Sequence, residues 1–262
     1  MKNWKNESGK QLSSDEWLRT HHNAKLQERT EFVKKNIKST DKIVIDIGCG
    51  SGLWMELFAS FLSEDCRLIG VDSDEKALEK AKLRMGNSNC HSSFINCNVE
   101  DKVLDLPKAD LILLFNMSCY IKNLDIFLEK LRMRLTSNGR IIVRQYDGSN
   151  IRIGPMEEKV RKLIDNSLFS SLYSSSEFHH YDLDRVFEAI GKSSFSNKKI
   201  EMETYFKKTP YTKEVLEYLE EHIRWTSNYI SEKAKMELQK WMKKQFYSNS
   251  YCSEVDLIAI LS

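Results

Sequence analysis

Residues 42–58 read "KIVIDIGCGSGLWMELF": alternating and adjacent aliphatics, one aspartate, then glycines at 48, 50 and 52 ahead of an apolar run with helical spacing. The aliphatic half predicts a buried strand and "LWMELFASFL" a helix, so the glycines sit at a strand-to-helix turn. Glycine lacks a Cβ, which lets the chain take positive φ and lets a ligand approach the backbone closely. The same alternation continues outward. "RLIGVD" predicts a second strand, "EKALEKAKLRM" a helix, "SSFINCNV" and "ADLILLFN" two more strands, "LDIFLEKLRMRL" a helix and "GRIIVRQY" a fifth strand. Near-continuous apolar strands separated by helices imply a parallel sheet covered on both faces, and right-handed crossovers make it doubly wound.

Beyond residue 148 the rhythm changes. Residues 149–190 contain an apparent helix, the serine-rich "SLFSSLYSSSEFHH" and a helix "DLDRVFEAI"; 211–246 is helical; "KKIEMETYF" and "SEVDLIAIL" predict two more strands. The last strand is expected to return to the same sheet. Residues 14–38 predict one N-terminal helix, capped by Ser13 or Ser14. The expectation is therefore an α/β chain with a mostly parallel, seven-stranded sheet. It forms a single domain over 1–262, with 1–40 as a helical cover and 149–190 and 211–246 as helical insertions.

Composition narrows the partners. With 262 residues, 41% hydrophobic and 30% charged, the chain has material for a real core. A formal charge of only +2 gives no basic field for nucleic acid or an anionic membrane. The 6 cysteines include no CxxC pair, which suggests free thiols in a reducing compartment. "MKNWKNESGKQ" has no apolar core of a secretion signal, and "LILLF" is too short to span a bilayer. These features predict a cytoplasmic protein. The oligomeric state is open, a homodimer included.

A parallel sheet binds ligands beyond the carboxyl ends of its strands. The loop "GCGSGLW" lacks the GK[ST] ending of a phosphate-binding P-loop, and Leu53 stands where a dinucleotide fingerprint has its third glycine. Asp46, two residues before Gly48, would repel a pyrophosphate and suits a cationic ligand such as a sulfonium. Asp72, ending the second strand about twenty residues past the glycines, has the spacing of a ribose acceptor. Asn98, Glu100 or Asp101 after the third strand can bond an adenine edge. Ribose, adenine and a cation together describe S-adenosylmethionine (SAM).

On these residues the chain resembles the class I SAM-dependent methyltransferases, whose sheet is Rossmann-like. "VIDIGCGSG" looks like their first motif, "GVDSD" their acidic second-strand segment, "NVED" their adenine segment, "ADLILLFNMSCY" their fourth-strand motif and "LTSNGRIIV" the turn into strand five. The resemblance runs over about 42–146. It implies that Gly48, Cys49 and Gly50 face the methionine part, with Asp46 at the loop base, that Asp72 and Ser73 hold the ribose, and that Asn98, Val99 and Glu100 border the adenine. It also implies that Asn116 meets the methionine or the acceptor and that Arg29 takes the methionine carboxylate. Many relatives carry aspartate at the position of Asn98. "NMSC" is not the Asn-Pro-Pro-aromatic motif used on base amines and glutamine, which favours a small-molecule acceptor.

Two features remain. Tyr218, His222, Trp225 and Tyr229 form an aromatic stripe that either packs on the N-terminal helix or walls an acceptor pocket, and Tyr120 and Tyr146 would look into the same space. The pairs His21–His22 and His179–His180 come without acidic partners, and no metal site is expected. A SAM-binding protein without turnover and an NAD- or nucleotide-using oxidoreductase stay open as alternatives.

Overall fold

The computed structural model describes residues 14–147, 151–173 and 183–262. Five strands alternate with helices as the apolar runs require: β1 (Ile43–Ile47), β2 (Arg67–Asp72), β3 (His91–Asn96), β4 (Ala109–Phe115) and β5 (Leu135–Tyr146). They pair in parallel in the order β3-β2-β1-β4-β5. The reversal of strand order falls between β1 and β4, where the crevice of a doubly wound sheet opens. Three later strands complete it: β6 (Arg152–Gly154), β7 (Lys198–Lys208) and β8 (Tyr251–Leu261). β8 runs antiparallel to β5 over Asp256–Leu261 and to β6 over Tyr251–Ser253, with β7 along its other edge.

Among the described residues the sheet thus has eight strands, one more than the sequence predicts, although β6 only continues the line of β5 along β8. Its three residues are too few to show a period of two, and they fall in the segment read as helical.

The helices are α1 (Asp15–Ala24), α2 (Leu26–Asn36), α3 (Leu53–Ala59), α4 (Glu75–Met85), the single turn α5 (Val99–Lys102), α6 (Leu124–Arg132), α7 (Glu158–Tyr173), α8 (Leu183–Lys192), α9 (Lys213–Ser227) and α10 (Glu232–Trp241). Alternation along β1 sends Ile45 and Ile47 to a core shared with α6 and α8, and Val44 to one shared with α2, α3 and α4. A third cluster joins α7, α9 and α10 around Leu219 and Phe246. The first half of the serine-rich stretch, residues 167–173, ends α7, and residues 174–180 lie outside the described residues.

The single N-terminal helix expected over 14–38 is two. Ser14 caps α1 by accepting the Trp17 N–H, and the helix breaks at Lys25 (φ −119°, ψ 16°). There the Lys25 ammonium turns inward, forms a buried ion pair with Glu254 of β8 and lies 4.5 Å from the Tyr205 ring centre. A second buried pair fixes the exit of α2: Arg140 on β5 grips Asp41 through both nitrogens, at 2.6 and 2.8 Å. Removing one member of such a pair strands the other charge away from water. Asp41→Asn should therefore lower stability by about 3–5 kcal/mol in urea unfolding; a loss under about 1 kcal/mol would show that solvent replaces the carboxylate.

Candidate active site

The glycine loop is held from both sides. Gly48 N–H and Cys49 N–H both donate to Val71 O, at 2.7 and 3.1 Å. Gly50 N–H donates to one Asp72 oxygen at 2.8 Å, and Asp74 N–H to the other at 2.9 Å. Gly48 has φ +71°, and a Cβ there would meet Met117 Sδ at 2.1 Å, so only glycine fits. Because a carboxylate offers about four lone-pair sites, Asp72 keeps acceptor capacity for ligand hydroxyls. Burial pushes its carboxyl upward, while the N–H groups of Asp74, Gly50 and Ser73 hold it down.

A cavity of about 260 Å³ opens over this loop at the carboxyl ends of β1, β2 and β4. Gly48, Cys49, Gly50, Asp72, Ser73, Asn98, Val99 and Glu100 line it, as do Asn116, Tyr120, Tyr146 and Arg29. Asn98 caps α5: its Oδ1 accepts Glu100 N–H at 3.1 Å and its Nδ2 donates to Asp101 Oδ2 at 3.0 Å. Asn116, at φ +55°, accepts Tyr146 N–H on its side-chain oxygen at 3.1 Å and so ties the ends of β4 and β5.

Asp46 does not line the cavity. It points to the α2–α3 side, fully enclosed, and burial followed by the nearby Asp72 charge pushes its carboxyl up to about 8. One oxygen has no hydrogen-bond partner. At the residue read as a fixed negative charge, burial and the Asp72 charge disfavour ionisation.

Tyr218, His222 and Trp225 do not line the cavity either. α1 lies between α9 and the space, so the aromatic stripe packs on α1. The Tyr218 ring stacks on His21 at 5.0 Å, and His222 lies 6.3 Å from Trp17 and 5.9 Å from Trp225. The wall that faces the cavity is Trp17 and His21, with Trp54 and Met117. Trp17 and His21 stand four residues apart on one face of α1, a spacing visible in the sequence. Among the described residues no group of three or more His, Cys, Asp or Glu could hold a metal, and His179–His180 lies outside them.

The far wall is cationic. Arg29 is buried, bonds His22 Nδ1 at 2.7 Å and lies 4.7 Å above Trp54, with no carboxylate in ion-pair contact among the described residues. Burial, then the charge of Arg144, lowers its guanidinium to about 9. Arg144 is paired with Asp256 at 2.7 Å. Burial also lowers His22 and His222 to about 3, and His21 well below its ordinary value.

A family model described as a methyltransferase domain matches residues 38–256. Carboxy-S-adenosyl-L-methionine synthase from Trichodesmium erythraeum is 24% identical over 137 residues, 45% of this chain and 54% of that protein. The chain spans about half the length of the curated relatives it matches. Among solved structures, phosphoethanolamine N-methyltransferase 2 from Haemonchus contortus, in complex with SAM, superposes with TM-score 0.54 at 17% identity over 95% of this chain and 57% of that one. A putative methyltransferase from Bacillus halodurans gives TM-score 0.53 at 14% identity, over 88% and 97%. At these identities the structural likeness is one of fold. No helix among the described residues is long and apolar enough to cross a membrane.

The buried histidines make stability pH-dependent with a definite sign. A base whose folded value is depressed contributes stability that is complete above its unfolded value near 6.5 and is lost as pH falls toward 3. Each such proton is worth about 1.4 kcal/mol per pH unit. Asp46, raised in the fold, acts oppositely, losing stability between about pH 4 and 8, and offsets one histidine. Unfolding free energy should therefore fall steeply from pH 6.5 to 5, and His22→Gln should flatten the slope by one proton. A flat profile would mean the imidazoles are hydrated.

Proposed function

The chain belongs to the methyltransferase-domain family, and we propose that it transfers the methyl group of SAM to a small-molecule acceptor by in-line displacement. The observation that carries the reading is the Asp72 carboxylate, which fixes the glycine loop through Gly50 and still presents acceptor lone pairs to the cavity. The residues fit the cofactor on three counts. Gly48 and Gly50 present bare backbone to the cavity, Asp72 can accept ribose hydroxyl protons, and Arg29 is a buried guanidinium in the cavity wall with no carboxylate in ion-pair contact among the described residues.

Asp72, with Ser73 beside it, would then hold the ribose. Asn98 is spent on capping α5, so the adenine rests on Val99 and on the edge formed by Asn98 and Glu100. Arg29 would take the methionine carboxylate. When bound, SAM supplies an electrophilic methyl group on a sulfonium, which needs no activation by an acid. The protein's part is alignment and exclusion of water. Trp17, His21, Tyr120 and Tyr146 enclose the space on the side of α1 and β5, where an acceptor can be held against the methyl group. No general base is required unless the acceptor loses a proton early. A near-neutral chain and an enclosed aromatic wall support a small acceptor over a nucleic acid.

Calorimetry should show SAM and S-adenosylhomocysteine (SAH) binding, with NADH and ATP not binding at comparable concentration. Methyl release from labelled SAM over a metabolite panel should then find the acceptor. Preferred NADH binding would overturn the reading; SAM binding with no methyl release to any acceptor would assign a SAM-binding protein without turnover.

A further inference from the structure

On the far side of α9 from the cofactor cavity lies a second one, of about 160 Å³, between β6, α7, α9 and α10. About half of its lining is aliphatic, among it Ile153, Ile164, Leu168 and Leu238. An apolar cavity of about 150 Å³ takes a molecule the size of benzene, so this one has room for a tail of about six to eight carbons.

The rim is unlike the walls. Arg152 Nε donates to Tyr251 Oη at 3.3 Å, and Arg161 Nη2 donates to Ile153 O at 2.6 Å. A Cβ on Gly154 would lie 2.9 Å from Tyr251 Oη and 3.0 Å from Arg161 Nη2, so the phenol and that guanidinium converge over the bare glycine. A guanidinium has five N–H donors, and each arginine spends one. Asp165 lines the cavity and feels both charges, but it forms no ion pair with either. Two cations brought together against one unpaired acid leave a surplus positive charge, and a planar guanidinium matches a carboxylate or phosphate in a bidentate way.

We propose that this cavity binds an amphipathic anion: a carboxylate or phosphate head held by Arg152, Arg161 and the Tyr251 hydroxyl, with a short apolar tail between α7 and α10. The site is separate from the cofactor cavity. α9 divides them, and His222 reaches the second cavity while its ring lies 6.3 Å from Trp17 of the first.

The test is titration of the full chain, saturated with SAH, with octanoate, octyl phosphate, octylammonium and inorganic phosphate. Octanoate or octyl phosphate should bind saturably, and the tighter of the two identifies the head. Octylammonium should not bind, and inorganic phosphate should bind at least tenfold more weakly than the alkyl anion. Arg152→Gln and Arg161→Gln should each weaken the alkyl anion about tenfold or more. Arg152 is exposed, so its variant reads the site even where Arg161→Gln costs stability. Absence of saturable binding by both alkyl anions, equal binding of the ammonium, displacement of the anion by SAH, or full affinity in both glutamine variants would each overturn the proposal. SAH affinity is measured in the same variants. Its loss alone would concern the methyltransferase reading and not this site.

Discussion

Asp72 stands where two strands, a loop and a cavity meet, and the arrangement of the site follows from how its carboxylate is spent. One oxygen takes Gly50 N–H from the loop after β1, the other takes Asp74 N–H from the loop after β2. Val71, the residue before it, receives Gly48 and Cys49 N–H on its carbonyl. Through these bonds the ends of β1 and β2 hold a backbone with three glycines at positive φ in one conformation. Charge-assisted bonds of this kind are each worth about 1.5–3 kcal/mol, enough to order a loop that has little side-chain packing of its own.

The opposite wall is built on a different principle. α1 and α2 carry Trp17, His21 and Arg29 to the cavity, and both helices are anchored to the antiparallel end of the sheet through the buried Lys25–Glu254 pair. Among the described residues no carboxylate is in ion-pair contact with Arg29, and burial together with the neighbouring Arg144 charge lowers its guanidinium. An incoming carboxylate would relieve that cost, which gives binding a source of energy beyond surface contact. Asp46 adds little negative charge of its own: burial, then the nearby Asp72 charge, raises its carboxyl to about 8.

How far sequence could go is plain from particular residues. The parallel strands β1 to β5 showed themselves because strands buried on both faces are nearly unbroken aliphatic runs, and the turn glycines with Asp72 were marked by their spacing. β6 was hidden because three residues carry no period. The break at Lys25 was hidden because the side chain that accompanies it finds its partner more than two hundred residues away. The aromatic stripe of α9 was found, but a stripe says which face is covered and not by what; α1 covers it, and the cavity lies one layer further. The protonation of Asp46 depends on burial that no local pattern encodes.

The central claim is that Asp72 both orders the glycine loop and receives the ribose. The most direct measurement is the SAH dissociation constant of Asp72→Ala, with thermal unfolding on the same sample to confirm the fold. The account predicts a loss of about 1.5–3 kcal/mol, roughly tenfold to somewhat over a hundredfold in affinity. An unchanged dissociation constant in a folded variant would contradict it and place the ribose elsewhere.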